Sequence, residues 1–74
     1  MNLLEDIPRR LGARIRDERR LQGMDQRTLA LVANVAVRTV HRIEAGEPTV
    51  RLDVVVKVLT ALGLDLDVVV RSAR

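Results

Sequence analysis

Seventy-four residues, 47% of them hydrophobic and none aromatic or cysteine, describe one small domain whose core must come from Leu, Val, Ile, Ala and Met. That size excludes most enzymes, and the missing cysteines exclude a disulfide framework or a thiolate metal site, which fits a reducing cytoplasm. Thirteen basic against ten acidic residues leave a net charge of +3, which permits a nucleic-acid partner without requiring one.

Leu3 and Leu4 are followed at once by Glu5 and Asp6, which is not a signal-peptide pattern, and no apolar run approaches a membrane span. Residues 4–21 then place Leu4, Ile7, Leu11 and Ile15 three or four apart, one apolar stripe on a helix. Pro8 suits a first turn better than an interior, so the regular helix is expected to begin there, and Gly23 to end it. Asp25 is a good N-cap for a short second helix over 26–33, with Leu29, Ala30 and Val32 or Ala33 inward. Asn34, a residue that tolerates the left-handed region, marks a tight turn. A third helix over 37–45 packs through Val40 and Ile43 and stops at Gly46, and Glu47, Pro48 and Thr49 form a loop.

Residues 50–62 send two signals. The β-branched run around Val54, Val55, Val56 and Val58 favours a strand by propensity. Leu52, Val55, Leu59 and Leu62 recur at helical spacing, and Gly63 closes the run. Periodicity decides for a helix held by packing. Residues 64–71 reverse this: Leu64, Leu66, Val68 and Val70 alternate with Asp65, Asp67, Val69 and Arg71 at a period of two. A lone strand cannot satisfy its own backbone groups, so the expected solution is pairing with the same strand of a second copy. The expected fold is mainly α, with four or five helices over 1–63, a C-terminal dimerisation strand over 64–71 and a tail over 72–74.

Two short helices joined by a tight turn make residues 26–45 a helix-turn-helix unit. Here the chain resembles the Cro/cI-type (XRE) helix-turn-helix family, over nearly its whole length. The matching residues are Leu11-Gly12-Ala13-Arg14-Ile15-Arg16, Arg19, Gly23, Asp25-Gln26, Leu29-Ala30, Val35, Val40, Arg42-Ile43-Glu44-Ala45-Gly46, Leu52-Asp53 and Ala61-Leu62-Gly63. The intervals joining Gln26, Leu29-Ala30 and Ile43-Glu44-Ala45-Gly46 are the specific part. The resemblance implies a lambda-repressor-like fold and a dimeric repressor of a double-stranded DNA operator. The terminal strand is further similar to that of HipB-like antitoxins, whose dimers join through an intersubunit β-lid. That version adds a HipA-like kinase toxin as a partner.

The resemblance carries over to particular residues. Gln26 would start the second helix, with Arg27 beside it, where free amides face a DNA phosphate and the glutamine adds a donor. The alternative for Gln26 is a solvated first-turn side chain. Arg38, His41 and Arg42 project opposite Val40 and Ile43. Arginine reads guanine bidentately, so Arg38 and Arg42 are the expected base contacts, unless this is a charged solvated face. Val37 replaces the polar reader usual in the family, and a valine can pack on a thymine methyl. Thr39 either contacts a phosphate or bonds locally. Ala36 stands where a capping Ser or Thr is common, and Thr28 replaces the acidic residue of a capping box, so Asp25 caps from one side only. Arg19 and Glu44 match the pair that ties the first helix to the end of the recognition helix. The arginines of the first helix, Arg9, Arg10, Arg14, Arg16 and Arg20, spread around it, so a minority is expected to reach phosphates.

Other chemistry finds no support. His41 and Glu44 lie three apart, but with no second histidine and no cysteine they do not complete a metal site. The lone His41 has only Ser72, in the tail, as a serine candidate for a nucleophilic triad. Asp65 and Asp67 read as polar flanks of the dimer strand, and no Gly-rich phosphate loop is present. The expectation is a cytoplasmic protein with no enzymatic activity, no cofactor and no membrane contact.

Overall fold

The computed structural model describes residues 2–70, which form four helices: α1 (Leu3–Leu21), α2 (Gln26–Ala33), α3 (Val37–Glu44) and α4 (Leu52–Leu62). No described helix is long and apolar enough to cross a membrane.

The first helix starts five residues before Pro8, contrary to expectation. The Asn2 side chain accepts from the Leu4 N–H at 3.0 Å, and Glu5 and Asp6 place negative charge in the first turn, where the helix dipole favours it. This start outweighs the proline, which sits inside the helix and cannot donate to the Leu4 carbonyl. Leu4 is exposed, so that carbonyl lies in the outermost part of the helix, away from the core. The second helix follows the sequence reading closely. The Asp25 side chain accepts from the Thr28 N–H at 2.8 Å, and Asn34 closes the helix in the left-handed conformation at φ 58°. The third helix begins at Val37 with no side-chain cap on Ala36. The β-branched segment before Gly63 is helical, as its periodicity required.

Ile15, Leu29, Val40 and Val58 are the fully enclosed centre of the core, one from each helix. Around them close Ala30, Ala33, Ile43, Val55, Leu59 and Leu62. At the second helix the inward residue is Ala33, while Val32 faces solvent. Three members of the expected stripes, Leu4, Ile7 and Leu52, are exposed. They lie at the starts of α1 and α4, beyond the buried cluster. Val58 was absent from the expected stripe. The helix carrying it packs against both α1 and α2, so its buried face is wider than one line of residues.

The expected C-terminal strand is not there. Among the described residues none is in a strand, and residues 64–70 run without regular secondary structure. Leu64 donates its N–H to the Leu59 carbonyl at 2.9 Å and packs against the core, while Leu66, Val68, Val69 and Val70 are exposed. Asp67 turns inward on its own backbone, accepting from the Val68 N–H at 2.8 Å. Alternation at a period of two gives a segment two faces, but a ladder partner makes it a strand, and the described residues hold no second extended segment. Arg71 and the tail 72–74 lie outside the described residues.

Candidate nucleic-acid interface

The position of α3 is set by a close approach to α1. A Cβ on Gly12 would collide with the Ile43 carbonyl oxygen and lie 3.1 Å from that of Glu44. Only glycine lets the backbones come this near. Beyond α3, Gly46 adopts φ 81° with the stem of Arg9 against it, so the chain turns where a side chain would be strained and crowded.

One carboxylate gathers three elements at this crossing. Arg19 donates from Nε to Glu44 Oε2 at 2.7 Å and from Nη2 to Oε1 at 3.0 Å, and Gln26 donates from Nε2 to the same Oε1 at 3.0 Å. The third guanidinium nitrogen of Arg19 donates to the Met24 carbonyl at 2.7 Å. The side chains of Arg19 and Glu44 are 8% and 5% exposed. Burial alone would raise the Glu44 carboxyl. Bonds from Arg19 and Gln26, with the charges of Arg19 and Arg16, overcome it and hold the group below its ordinary value. Bonding to Glu44 raises Arg19, against the desolvation of its guanidinium. The pair is a buried, bidentate tie between α1 and the end of α3, with Gln26 locked into it.

At the start of α2, Asp25 takes the Thr28 amide through its side chain and the Leu29 amide through its carbonyl. The bond to Thr28 holds the Asp25 carboxyl below its usual range. The amides of Gln26 and Arg27 are left without a backbone acceptor at the positive end of the helix.

The outer face of α3 turns away from Val40 and Ile43. It presents Val37, Arg38 and His41 to solvent, with Thr39 half-buried at its side. Arg38 forms no ion pair or hydrogen bond among the described residues. Arg42, the second expected base reader, is engaged: Nε donates to Glu47 Oε1 at 3.0 Å and Nη2 to Thr49 Oγ1 at 3.2 Å. Gln26 and Arg27 join this face across the turn, whereas Leu66, Val68 and Val70 stand apart from it in the C-terminal segment. Three features escaped sequence reasoning: the Gln26 bond to Glu44, the latch on Arg42, and the contact under Gly12. The latch had a visible signal, since Glu47 follows Arg42 by five residues across the Gly46 turn.

Residues 15–69 match the protein-family model described as helix-turn-helix. The chain belongs to this family, of the XRE type. An uncharacterized HTH-type transcriptional regulator, y4mF, of Sinorhizobium fredii is 37% identical over 67 residues, covering 90% of this chain and 88% of that protein. No solved structure matches. The helix-turn-helix unit itself is α2, the Asn34 turn and α3, and the Arg19–Glu44 tie fixes it to α1.

Proposed function

We propose that this helix-turn-helix protein is a DNA-binding transcriptional regulator, a repressor that occupies a pseudo-palindromic operator as a homodimer in the cytoplasm. The observation that carries the reading is the outer face of α3, where Val37, Arg38 and His41 are exposed and unengaged on a helix fixed from behind by Glu44. Arg38 is the principal base reader, with Arg42 second once it leaves Glu47; Val37 packs on a thymine methyl. Gln26 and Arg27 take a backbone phosphate, with Thr39 and His41 at the rim. Two copies would set their α3 helices in successive major grooves about 34 Å apart. The exposed Leu66, Val68 and Val70, with Leu64 at their base, are apolar surface for the contact between copies. The antitoxin version, with a HipA-like toxin as partner, loses the terminal strand that motivated it, since residues 64–70 form none.

Selection of bound sites from random duplexes tests the reading. It should return a two-fold symmetric sequence with half-sites about 10 base pairs apart. Arg38→Ala should relax preference at one position, while Arg27→Ala should weaken binding to all sequences alike. A pool that shows no enrichment over input would refute DNA recognition and leave a protein-interaction module with the same fold.

A further inference from the structure

The surface arginines divide by what they touch. Arg10, Arg14, Arg42 and Arg51 each lie against a carboxylate, and Arg19 is committed to Glu44 and Met24. Arg9, Arg20, Arg27 and Arg38 have no carboxylate partner among the described residues, and Arg16 has only Asp17, in a long ion pair at 3.8 Å. Arg16 and Arg20 are four residues apart, on one face of α1, and both line an open cleft of about 290 Å³ shared with Gln26, His41 and the Arg19–Glu44 pair. Arg20 also lines the adjoining cleft, which runs on to Arg27 and Val37. Arg20 has no ion pair or hydrogen bond among the described residues. Arg16 Nε is shut off from water without a hydrogen-bond partner, and the nearest carboxylate oxygen, Asp17 Oδ1, is 3.8 Å away. An unpaired guanidinium N–H is costly in the free protein, and the Arg16 side chain, 41% exposed overall, keeps surface on which an acceptor can bind.

We propose that Arg16 and Arg20 form a phosphate clamp on α1, which grips a phosphodiester of the DNA backbone beside the groove that α3 enters. The inference rests on the DNA-binding reading above and adds a third helix to the contact surface. The clefts are continuous with the outer face of α3 through His41 and Val37, so a duplex lying along that face brings one strand's phosphates to α1. Each cleft has one carboxylate on its wall: Asp25 borders the outer one, and Glu44 borders the inner one with both oxygens taken by Arg19 and Gln26, so the inner cleft, where Arg16 and Arg20 meet, is the seat for an anion. Arg14 is excluded, because Nη1 is spent on Glu18 at 3.1 Å. The clamp carries no sequence information: it sets affinity and register, and α3 sets preference.

The test measures binding to a duplex recovered by selection and to a scrambled duplex of equal composition, by fluorescence anisotropy across a salt series. The variant R16Q/R20Q keeps the aliphatic stems and removes the charges; R16K/R20K keeps the charges. Each phosphate contact contributes about 0.9 to the slope of log affinity against log salt, so the glutamine variant should lose about 1.8 per subunit. Between about 50 and about 200 mM salt, the wild type should then lose roughly tenfold more affinity per subunit than the variant. Both duplexes should show the same flattening, and R16K/R20K should retain the wild-type slope. An unchanged slope in R16Q/R20Q, on a duplex the wild type binds, overturns the clamp and leaves DNA recognition standing. A wild type that binds neither duplex overturns both. Far-UV circular dichroism confirms that each variant is folded, and if R16Q/R20Q is not, R16Q and R20Q singly should each flatten the slope by about 0.9 per subunit.

Discussion

Replacing Glu44 by alanine removes the acceptor on which Arg19 and Gln26 converge, and leaves a guanidinium that is 8% exposed with only the Met24 carbonyl. An uncompensated buried charge of this kind costs about 3–5 kcal/mol. At about 0.05–0.15 kcal/mol per residue, a chain of 74 residues has roughly 4–11 kcal/mol in total. Glu44→Ala therefore removes a large share of the stability, and at the bottom of that range leaves about 1 kcal/mol or less, so that much of the chain is unfolded at 25 °C. The chain has no Trp, Tyr or Phe, so urea unfolding must be followed by far-UV circular dichroism. With a slope of about 1 kcal/mol per molar urea, the midpoint should fall by about 3 M or more. The companion variant Arg19→Leu/Glu44→Leu buries no charge and should recover most of the loss. A Glu44→Ala chain within about 1 kcal/mol of the wild type would mean that the pair behaves as an exposed one, and would refute the reasoning.

The same carboxylate sets a pH dependence. Its pKa in the folded chain lies below the ordinary 4.5, so its contribution is complete above that pH and is lost as the pH falls through the lower folded value. Thermal melts taken below pH 4.5 should drop steeply in the wild type and less in Glu44→Gln. Gly12→Ala pushes a methyl into the Ile43 carbonyl and should cost about 1–3 kcal/mol while displacing α3, so a melt and a gel shift should both show losses. Glu47→Ala releases Arg42 at an exposed position, so stability should move by less than about 1 kcal/mol. If Arg42 reads a base as proposed, site selection with that variant should instead show altered preference at one base pair.

Much of the fold was legible because its signals are local. Asp25 and Asn34 bracket α2 through their own hydrogen bonds and dihedral preferences, and Gly63 ends α4, so these boundaries need no tertiary information. The β-branched α4 was legible because period outweighs propensity when one face is buried. Pro8 misled because a favourable cap at Asn2 outweighs one missing hydrogen bond. The segment after Gly63 misled for a deeper reason. Alternation describes side chains, whereas a strand is defined by backbone partners, and no residue in 64–70 encodes one. At the site, the Arg19–Glu44 tie was recoverable through the family pattern. The Gln26 bond to Glu44 joins residues eighteen apart and depends on how α2 and α3 cross, which no spacing reveals.

Helix α3 is held unevenly, and this follows from its sequence. Eight residues are too few for a stable helix in isolation, so α3 depends on tertiary contacts. Those contacts gather in its second half, where Val40 and Ile43 enter the core and Glu44 is gripped by Arg19 and Gln26. The first turn has no side-chain cap, because Ala36 offers no acceptor, and both Val37 and Arg38 stand in solvent there. The anchored end fixes the angle at which α3 leaves the domain, and the uncapped end leaves its first amides free for a phosphate or for water. A capping residue at 36 would stiffen that turn by about 1 kcal/mol and occupy one of those amides, so the alanine leaves the start of α3 open.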